Sequence, residues 1–238
     1  MALKISDKKK LITTIIWSVL GLLLLVYVVR ISLWEKNYYE TQEGSERAKV
    51  VKGTGEELVV DEPEEVDETE VTEEQRAEYT VPAGNPRYLT IQKLGIYNAR
   101  ILRVSKRSDG RMGTPTNIFD VGWYDGSSKP GNGGTAIIDG HNGGPNIEGV
   151  FKHIDTLVAG DIIEIAIGGS DQVLKYRVVD NVSVLLKDKQ ADKYMNKEAK
   201  TSPEPGKESI TLITCIGEWS QDQQTYLSRQ FTRAVLVD

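Results

Sequence analysis

Apolar and polar residues follow three different patterns along the chain. Residues 11–29 form an uncharged, mostly apolar run, and residues 41–80 show no sustained periodicity. From Pro86 onward, short apolar runs are separated by Gly, Pro, Asn and Asp. These patterns predict a membrane-spanning helix, an irregular segment and a β-rich domain, in that order.

The apolar run Leu11–Val29 predicts a transmembrane helix, because a helix of this length extends about 28 Å, close to the ~30 Å hydrocarbon core. Four lysines precede the run, so the positive-inside rule places residues 1–10 in the cytoplasm and everything after residue 30 outside. A cleaved signal peptide would need a small-residue cleavage site after the run, and none follows. We therefore expect a single-pass anchor in the cell membrane.

Residues 30–80 predict an acidic extracellular linker. Residues 56–78 carry twelve Asp or Glu and one Arg, so this segment accounts for the overall negative charge of −6. Such a composition buries too little apolar surface to offset the ordering entropy, and we expect a disordered spacer that like charges extend. Divalent-cation binding and a lid over an active site are the alternative interpretations.

Residues 81–238 predict an all-β domain, a barrel or a sandwich, with a few short helices. Helical pieces are expected at Val150–Ile154 and Lys189–Lys197. Seven runs have strand character: Arg87–Ile91, Ala99–Val104, Thr135–Asp139, Asp161–Ile167, Lys175–Val184, Ser209–Cys215 and Gln230–Val237.

The only cysteine, Cys215, ends the predicted strand Ser209–Cys215. One cysteine excludes an internal disulfide and any multi-cysteine zinc or iron–sulfur site. Taken alone, a single thiol is most often a small core residue. A nucleophile would need a base and an anion stabiliser elsewhere in the chain.

Two histidines are present, and only one occupies a promising position. His141 follows a predicted strand and precedes a Gly-rich loop, a place where a side chain projects into a cleft. His153 lies on a short amphipathic stretch and is expected to pack or to face solvent. A zinc site that combines both histidines with Cys215 lacks metal-ligand spacing, so no metal is expected.

Two further motifs contain residues that could take part in chemistry. The stretch Gly131–Gly134 is not a phosphate-binding loop, because a strand follows it and no Lys-Ser/Thr pair closes it. Arg229 and Arg233 share one face of the last predicted strand, where a guanidinium has the donors to stabilise an oxyanion. Taken alone, each is an ordinary surface arginine.

In this order along residues 86–238, the motifs resemble the sortase family, the membrane-anchored cysteine transpeptidases of Gram-positive bacteria. Thr211-Leu-Ile-Thr-Cys215 fits the family's TLxTC signature, Gly140-His141 follows an apolar strand, and an Arg opens the strand after the cysteine. Three further segments are similar to the family pattern: Pro86–Ile96, Val121–Thr135 and Gly149–Asp161.

The resemblance implies a closed eight-stranded β-barrel over residues 81–238. It makes Cys215 the nucleophile, His141 the general acid/base and Arg229 the stabiliser of the oxyanion or of the substrate backbone. Arg233 lies roughly 13 Å further along the strand and is expected in a supporting role. No cofactor, metal ion or nucleic-acid partner is expected.

The implied reaction is transpeptidation. Cys215 attacks a carbonyl of an LPxTG-like sorting signal on a secreted protein and forms a thioester, and His141 protonates the departing amine. The acyl group then passes to an amino nucleophile on a peptidoglycan precursor or another acceptor. The thioester retains the peptide-bond energy, so the reaction needs no ATP.

Two departures from the family pattern concern the subtype. Ile-Gly-Glu-Trp follows Cys215, whereas pilin-polymerising members have a TPYG-like run at this position. No Asp-Pro-aromatic lid motif precedes the barrel. We therefore expect anchoring of surface proteins rather than pilin assembly. Leu186–Glu208 is expected to cover the substrate groove, and Glu218–Tyr226 is expected to connect the last two strands. In this second loop, Trp219 either stacks on substrate or caps the barrel.

The rival hypothesis is a membrane-tethered β-domain for binding or adhesion, without catalysis.

Overall fold

The computed structural model describes Arg30 and residues 66–108, 110–222 and 225–237. The predicted cytoplasmic tail, the transmembrane run Leu11–Val29 and the linker up to residue 65 lie outside these residues. Within the described part, no helix combines the length and apolarity needed to cross a membrane.

Eight strands close into a barrel in the order β1-β2-β3-β4-β7-β8-β6-β5. The pairs β2–β3 and β4–β7 are parallel, and the other neighbours are antiparallel. This confirms the expected closed, eight-stranded, all-β barrel. The strands are β1 Pro86–Ile91, β2 Ile96–Val104, β3 Val121–Tyr124, β4 Thr135–Gly140, β5 Ile162–Ile167, β6 Val173–Leu185, β7 Ser209–Ser220 and β8 Thr225–Val237.

The described helices are short. They are α1 Glu73–Glu78 and α2 Lys189–Asn196, with 3-10 turns at Gln92–Leu94, Ile154–Thr156 and Glu198–Lys200. The predicted helix at Lys189–Lys197 is therefore confirmed. The helical piece expected at Val150–Ile154 is instead a turn that leads into the 3-10 turn.

Each of the seven predicted strands overlaps an observed strand, and β3 is the strand that the pattern missed. It has four residues, too few for a two-residue period to be recognised. The last two strands are also longer than predicted, since β7 continues to Ser220 and β8 begins at Thr225. The expected loop Glu218–Tyr226 is thus partly a β-hairpin, with Trp219 paired with Tyr226.

The two faces of β7 pack into different apolar layers. Ile210 and Leu212 point into the barrel, where they join the main core. Ile213 packs on the outside against a second cluster formed by Val184, Ala191, Ala199 and Phe231. Because side chains alternate along a strand, Cys215 shares the outer face with Ile213. The connection between β6 and β7 covers part of this outer face.

Residues 66–80, which we call the strap, pack against the barrel. The backbone N–H of Asp67 donates to Thr116, and its carboxylate accepts from Asn117 at 3.0 Å. Glu68 accepts from the backbone N–H and the side-chain amide of Asn146, both at 2.7 Å. The strap therefore joins the β2–β3 connection to the β4–β5 connection, which begins at His141.

The disorder expected up to residue 80 does not hold for the strap, for two physical reasons. Val71 is only 4% exposed and supplies apolar burial. Thr72 and Gln75 form a reciprocal capping box that begins α1. The carboxylates of Asp67 and Glu68 receive N–H donors, so these acidic residues hold the strap in place as well as carrying charge.

We expect Val71→Ala to lower the free energy of unfolding by about 1.5–2 kcal/mol, because it removes two buried methyl groups. Val158→Ala is the matched control, since Val158 is 58% exposed, and should leave stability nearly unchanged. Urea unfolding of both variants measures the difference. Equal effects of the two substitutions would contradict a packed strap.

Candidate active site

The three predicted site residues lie at one level of the barrel: His141 directly after β4, Cys215 on β7 and Arg229 on β8. In the parallel β4–β7 pair, Asp139 is aligned with Ile213, so the same register continued by two residues brings His141 opposite Cys215. In the antiparallel β7–β8 pair, Cys215 is aligned with Arg229. Neighbouring strands are about 4.8 Å apart, so Cys215 lies on the strand between the one that leads to His141 and the one that carries Arg229.

A buried hydrogen bond secures this register. The hydroxyl of Thr214 donates to the carbonyl oxygen of Gly140 at 2.8 Å. These residues immediately precede Cys215 and His141. The bond therefore ties the nucleophile's strand to the histidine's strand at the site itself.

His141 is held by the β2–β3 connection, where its Nε2 lies 2.6 Å from the carbonyl oxygen of Pro115. A carbonyl oxygen only accepts hydrogen bonds, so Nε2 carries the hydrogen. A neutral ring then has its lone pair on Nδ1, which makes Nδ1 the nitrogen able to take a proton. Residue 115 was not singled out in the sequence, because a backbone carbonyl leaves no mark on residue identity.

Burial raises the pKa of the Cys215 thiol above its ordinary value. Two neighbours modify this effect in opposite directions: the positive charge of Arg229 lowers the thiol pKa, and the carboxyl of Asp139 raises it. Burial thus favours the uncharged thiol, whose proton must be removed before the sulfur attacks.

Arg229 is fixed to residues of its own strand near the β7–β8 turn. Its Nη1 donates to the carbonyl oxygens of Tyr226 at 2.8 Å and Ser228 at 3.0 Å, and Nη2 donates to the hydroxyl of Thr225 at 2.9 Å. These bonds use three of the five N–H donors of a guanidinium. Arg229 thus has a defined position beside Cys215.

Arg233 has a different environment. Its Nε donates to Asp180 at 2.8 Å, and its Nη1 donates to Glu198 at 3.1 Å. Glu198 begins the 3-10 turn in the β6–β7 connection, so Arg233 fastens that connection to the barrel. The structure therefore places Arg229, and not Arg233, opposite Cys215, while the catalytic roles of both remain predictions.

His153 lies apart from the site, on the surface. Its ring is within 3.2 Å of the Glu148 carboxylate, and its side chain is 60% exposed. Among the described residues, no three His, Cys, Asp or Glu side chains come together in a way that could hold a metal ion.

The Gly131–Gly134 loop is occupied by a carboxylate that the sequence did not reveal. Glu208 accepts from the backbone N–H of Gly131 at 2.7 Å and of Gly133 at 2.6 Å. Its Oε1 also accepts from the hydroxyl of Tyr176 at 2.5 Å. The loop therefore binds the end of the β6–β7 connection, which agrees with the rejection of a phosphate-binding role.

A cavity of about 660 Å³ lies along the outer face of β4, towards the strand's N-terminal end. Thr135 and Ile137 form part of its wall, and by alternation they share a face with Asp139 and His141. The β3–β4 connection and the end of the β6–β7 connection complete the lining, with Tyr124, Ser128, Lys200 and Lys207 among the lining residues.

A thiol between an imidazole and a guanidinium, on the outside of a closed β-barrel, has the groups needed for acyl transfer through a cysteine nucleophile. The sequence model of the sortase domain matches residues 89–237, more than half of the chain. The chain therefore belongs to the sortase family, as its motifs predict.

Solved structures of sortases resemble the chain at low sequence identity. Sortase A from Corynebacterium diphtheriae is 25% identical over 66% of this chain and 63% of its own, with a TM-score of 0.48. Sortase C from Streptococcus pneumoniae is 22% identical over 71% of this chain and 76% of its own, with a TM-score of 0.45. Sortase A from Actinomyces oris is 20% identical over 67% of this chain and 83% of its own, with a TM-score of 0.46. No curated protein sequence matches the chain.

We expect Arg229→Gln to raise the pKa of Cys215, because the substitution removes the cation that favours the thiolate. Alkylation by iodoacetamide at pH 7 should slow by about three- to tenfold. The rate measured against pH reports the thiol titration directly.

The matched control is Arg103→Gln, which removes an exposed arginine that pairs with Asp125. It should leave the alkylation profile unchanged. A thiol pKa that is the same in the Arg229 variant and in the unmodified protein would show that Arg229 does not act on the sulfur.

Proposed function

We propose that this sortase is a membrane-anchored cysteine transpeptidase that cleaves an LPxTG-like sorting signal and transfers the protein to an amino nucleophile. The observation that carries the proposal is the strand register, which aligns Cys215 with Arg229 and, continued two residues beyond the Asp139–Ile213 pair, brings His141 level with Cys215. A thiol in this setting has a base on one side and a stabiliser of negative charge on the other.

The first half of the reaction forms a thioester. Nδ1 of His141 takes the proton from the Cys215 sulfur, and the thiolate attacks the carbonyl carbon of the scissile peptide bond. Arg229 donates hydrogen bonds to the oxygen that becomes negative. When the carbon–nitrogen bond breaks, the histidine returns the proton to the departing amine.

The second half reverses these roles. An amino group enters in place of the departed amine, the histidine removes its proton, and the nitrogen attacks the thioester carbon. The carbon–sulfur bond then breaks and the sulfur leaves as the thiolate. One peptide bond is lost and one is formed, so no cofactor and no external energy source is required.

The outer face of β4 supports binding of an extended peptide. The cavity beside Thr135 and Ile137 continues the face on which Asp139 and His141 lie. We assign this cavity to side chains of the sorting signal, and the β6–β7 connection to one wall of the groove. Trp219 stands further along β7 and contacts Tyr226 edge to face, with ring centroids 5.2 Å apart.

The proposed partners are secreted proteins with a C-terminal LPxTG-like signal, and a peptidoglycan precursor or another amine as acceptor. The proposed location is the cell membrane, with Leu11–Val29 as anchor and residues 81–238 as an extracellular catalytic domain. The residues after Cys215, Ile-Gly-Glu-Trp, favour surface-protein anchoring over pilin assembly.

We expect Cys215→Ala and His141→Ala each to abolish cleavage of LPxTG-type peptides, because one removes the nucleophile and the other its base. The assay is peptide cleavage by full-length protein in detergent, with an amine acceptor added. His153→Ala is the matched control and should retain full activity, since His153 lies on the surface.

Circular dichroism must show that the inactive variants keep the barrel. Cleavage by the Cys215→Ala variant would contradict this mechanism. Failure of the unmodified protein to cleave any peptide of a varied panel would favour the non-catalytic, membrane-tethered binding domain.

We expect protease treatment of intact cells to remove the domain that follows residue 30, because the lysine distribution places it outside. A tag at the N-terminus should be protected and a tag at the C-terminus should be lost. Protection of the C-terminal tag in cells with intact membranes would contradict the proposed orientation.

A further inference from the structure

Two consecutive acids of the strap fasten two different connections of the barrel, and the reaction proposed above uses neither acid. Asp67 contacts the β2–β3 connection, and Glu68 contacts the β4–β5 connection. Both connections also hold His141. The first provides the Pro115 carbonyl oxygen that accepts from the imidazole, and the second begins at the histidine itself. The strap therefore bridges the two chain segments that hold the proposed base.

Asp67 is held mainly through its backbone. Its N–H donates to the carbonyl oxygen of Thr116 at 2.9 Å, and its own carbonyl oxygen accepts from the N–H of Ile118 at 3.0 Å. The side-chain amide of Asn117 donates to the Asp67 carboxylate at 3.0 Å and to the carbonyl oxygen of Thr69 at 2.8 Å. The strap thus grips three consecutive residues, and the residue before them provides the carbonyl oxygen that accepts from the histidine.

Glu68 is held through its side chain, in a part of the β4–β5 connection that fits a carboxylate. The backbone N–H and the side-chain amide of Asn146 each donate to it at 2.7 Å, and the N–H of Ile147 donates at 3.2 Å. A Cβ atom built on Gly144 would lie 2.3 Å from Oε1 of Glu68, so the carboxylate occupies space that a larger residue would fill. These residues follow His141 closely in the sequence.

The two connections also bond directly to each other, and the path that these bonds close includes the imidazole. The N–H of Val150 donates to the carbonyl oxygen of Ile118 at 2.8 Å, and the N–H of Phe151 donates to that of His141 at 2.9 Å. Nε2 of His141 lies 2.6 Å from the carbonyl oxygen of Pro115. A shift of either connection would therefore move Nε2 relative to its acceptor.

We propose that the docked strap holds His141 in its catalytic position and that Glu68 is the positioning residue through which it does so. With Glu68 seated on Asn146 and Ile147, the β4–β5 connection is held against the β2–β3 connection, where Nε2 meets the Pro115 carbonyl oxygen. Glu68 carries this role rather than Asp67, because its contacts are made by its side chain. The role rests on the proposed function, in which His141 exchanges a proton with Cys215.

The first test follows the imidazole by NMR and needs no substrate. In isotope-labelled full-length protein in detergent, the exchange rate of the Nε2 proton of His141 with water reports its hydrogen bond to Pro115. The signal is assigned in the His153→Ala background, where His141 is the only histidine. We expect Glu68→Ala to speed this exchange at least about tenfold, because the hydrogen bond opens more often.

The backbone N–H of Leu212, in the main core, reports any general loss of stability in the same sample. The increase at Nε2 of His141 should exceed the increase at Leu212. An exchange rate at Nε2 that is unchanged, or that rises no more than the rate at Leu212, would overturn the positioning role.

The matched control is Glu70→Ala, which removes an exposed acid two residues further along the chain. It makes the same change in charge and leaves the contacts of Glu68 in place. The exchange rate of the Nε2 proton should equal that of the unmodified protein. An effect as large as that of Glu68→Ala would show that the charge matters and not the contacts with Asn146, and would overturn the proposal.

The second test is kinetic. We expect Glu68→Ala to lower kcat for peptide cleavage about tenfold, because a displaced base transfers its proton less often. KM should stay nearly unchanged, since Glu68 does not line the cavity assigned to the sorting signal. Full kcat in this variant would overturn the positioning role.

Gly144→Ala tests the same contact from the other side. It removes no hydrogen-bonding group, but its methyl group would displace the Glu68 carboxylate, so kcat should fall by a similar factor. In the Glu68→Ala background the methyl group has room, and the same substitution should have little further effect. Equal losses of kcat in both backgrounds would overturn the role of this contact.

Absence of turnover in the unmodified protein would instead refute the proposed function. The exchange of the Nε2 proton would then decide by itself whether the strap positions His141, because that measurement requires neither a sorting signal nor an acceptor.

Discussion

The parallel pairing of β4 with β7 is the constraint on which the site depends. The two strands come from distant parts of the chain, and only their register brings His141 level with Cys215. A shift by one residue would turn the thiol into the barrel and Leu212 out of it, so the core enforces the register. The buried bond from Thr214 to Gly140 adds a directional restraint at the site itself. The antiparallel pairing with β8 then brings Arg229 to the other side of the thiol.

Connections between strands cover part of the outer face of the barrel. Arg233 fastens the β6–β7 connection through Asp180 and Glu198, and Glu208 fastens its far end to the glycine loop. The strap joins the two connections that flank His141. Ion pairs and hydrogen bonds therefore hold these connections against the barrel.

Much of this arrangement could be predicted from the sequence, because it follows from short-range patterns. Alternation located seven strands, and the order of the motifs around His141, Cys215 and Arg229 indicated the family and the closed barrel. What could not be predicted depends on contacts between distant residues. One example is the space that Gly122 leaves for the carboxyl of Asp139. Another is the Pro115 carbonyl oxygen that accepts from His141. The prediction that the strap is a disordered spacer is wrong because its composition shows only the like charges. It does not show the N–H groups elsewhere in the chain that donate to Asp67 and Glu68.

In the proposed reaction, Cys215 becomes covalently acylated. The most direct measurement is the intact mass of the full-length protein, quenched in acid after incubation with a cleavable LPxTG-type peptide, followed by mapping of the modified residue. We expect an added mass equal to the N-terminal product of the peptide, located on Cys215 and removed by hydroxylamine. Cleavage of the peptide with no adduct on Cys215, or with an adduct on another residue, would contradict it.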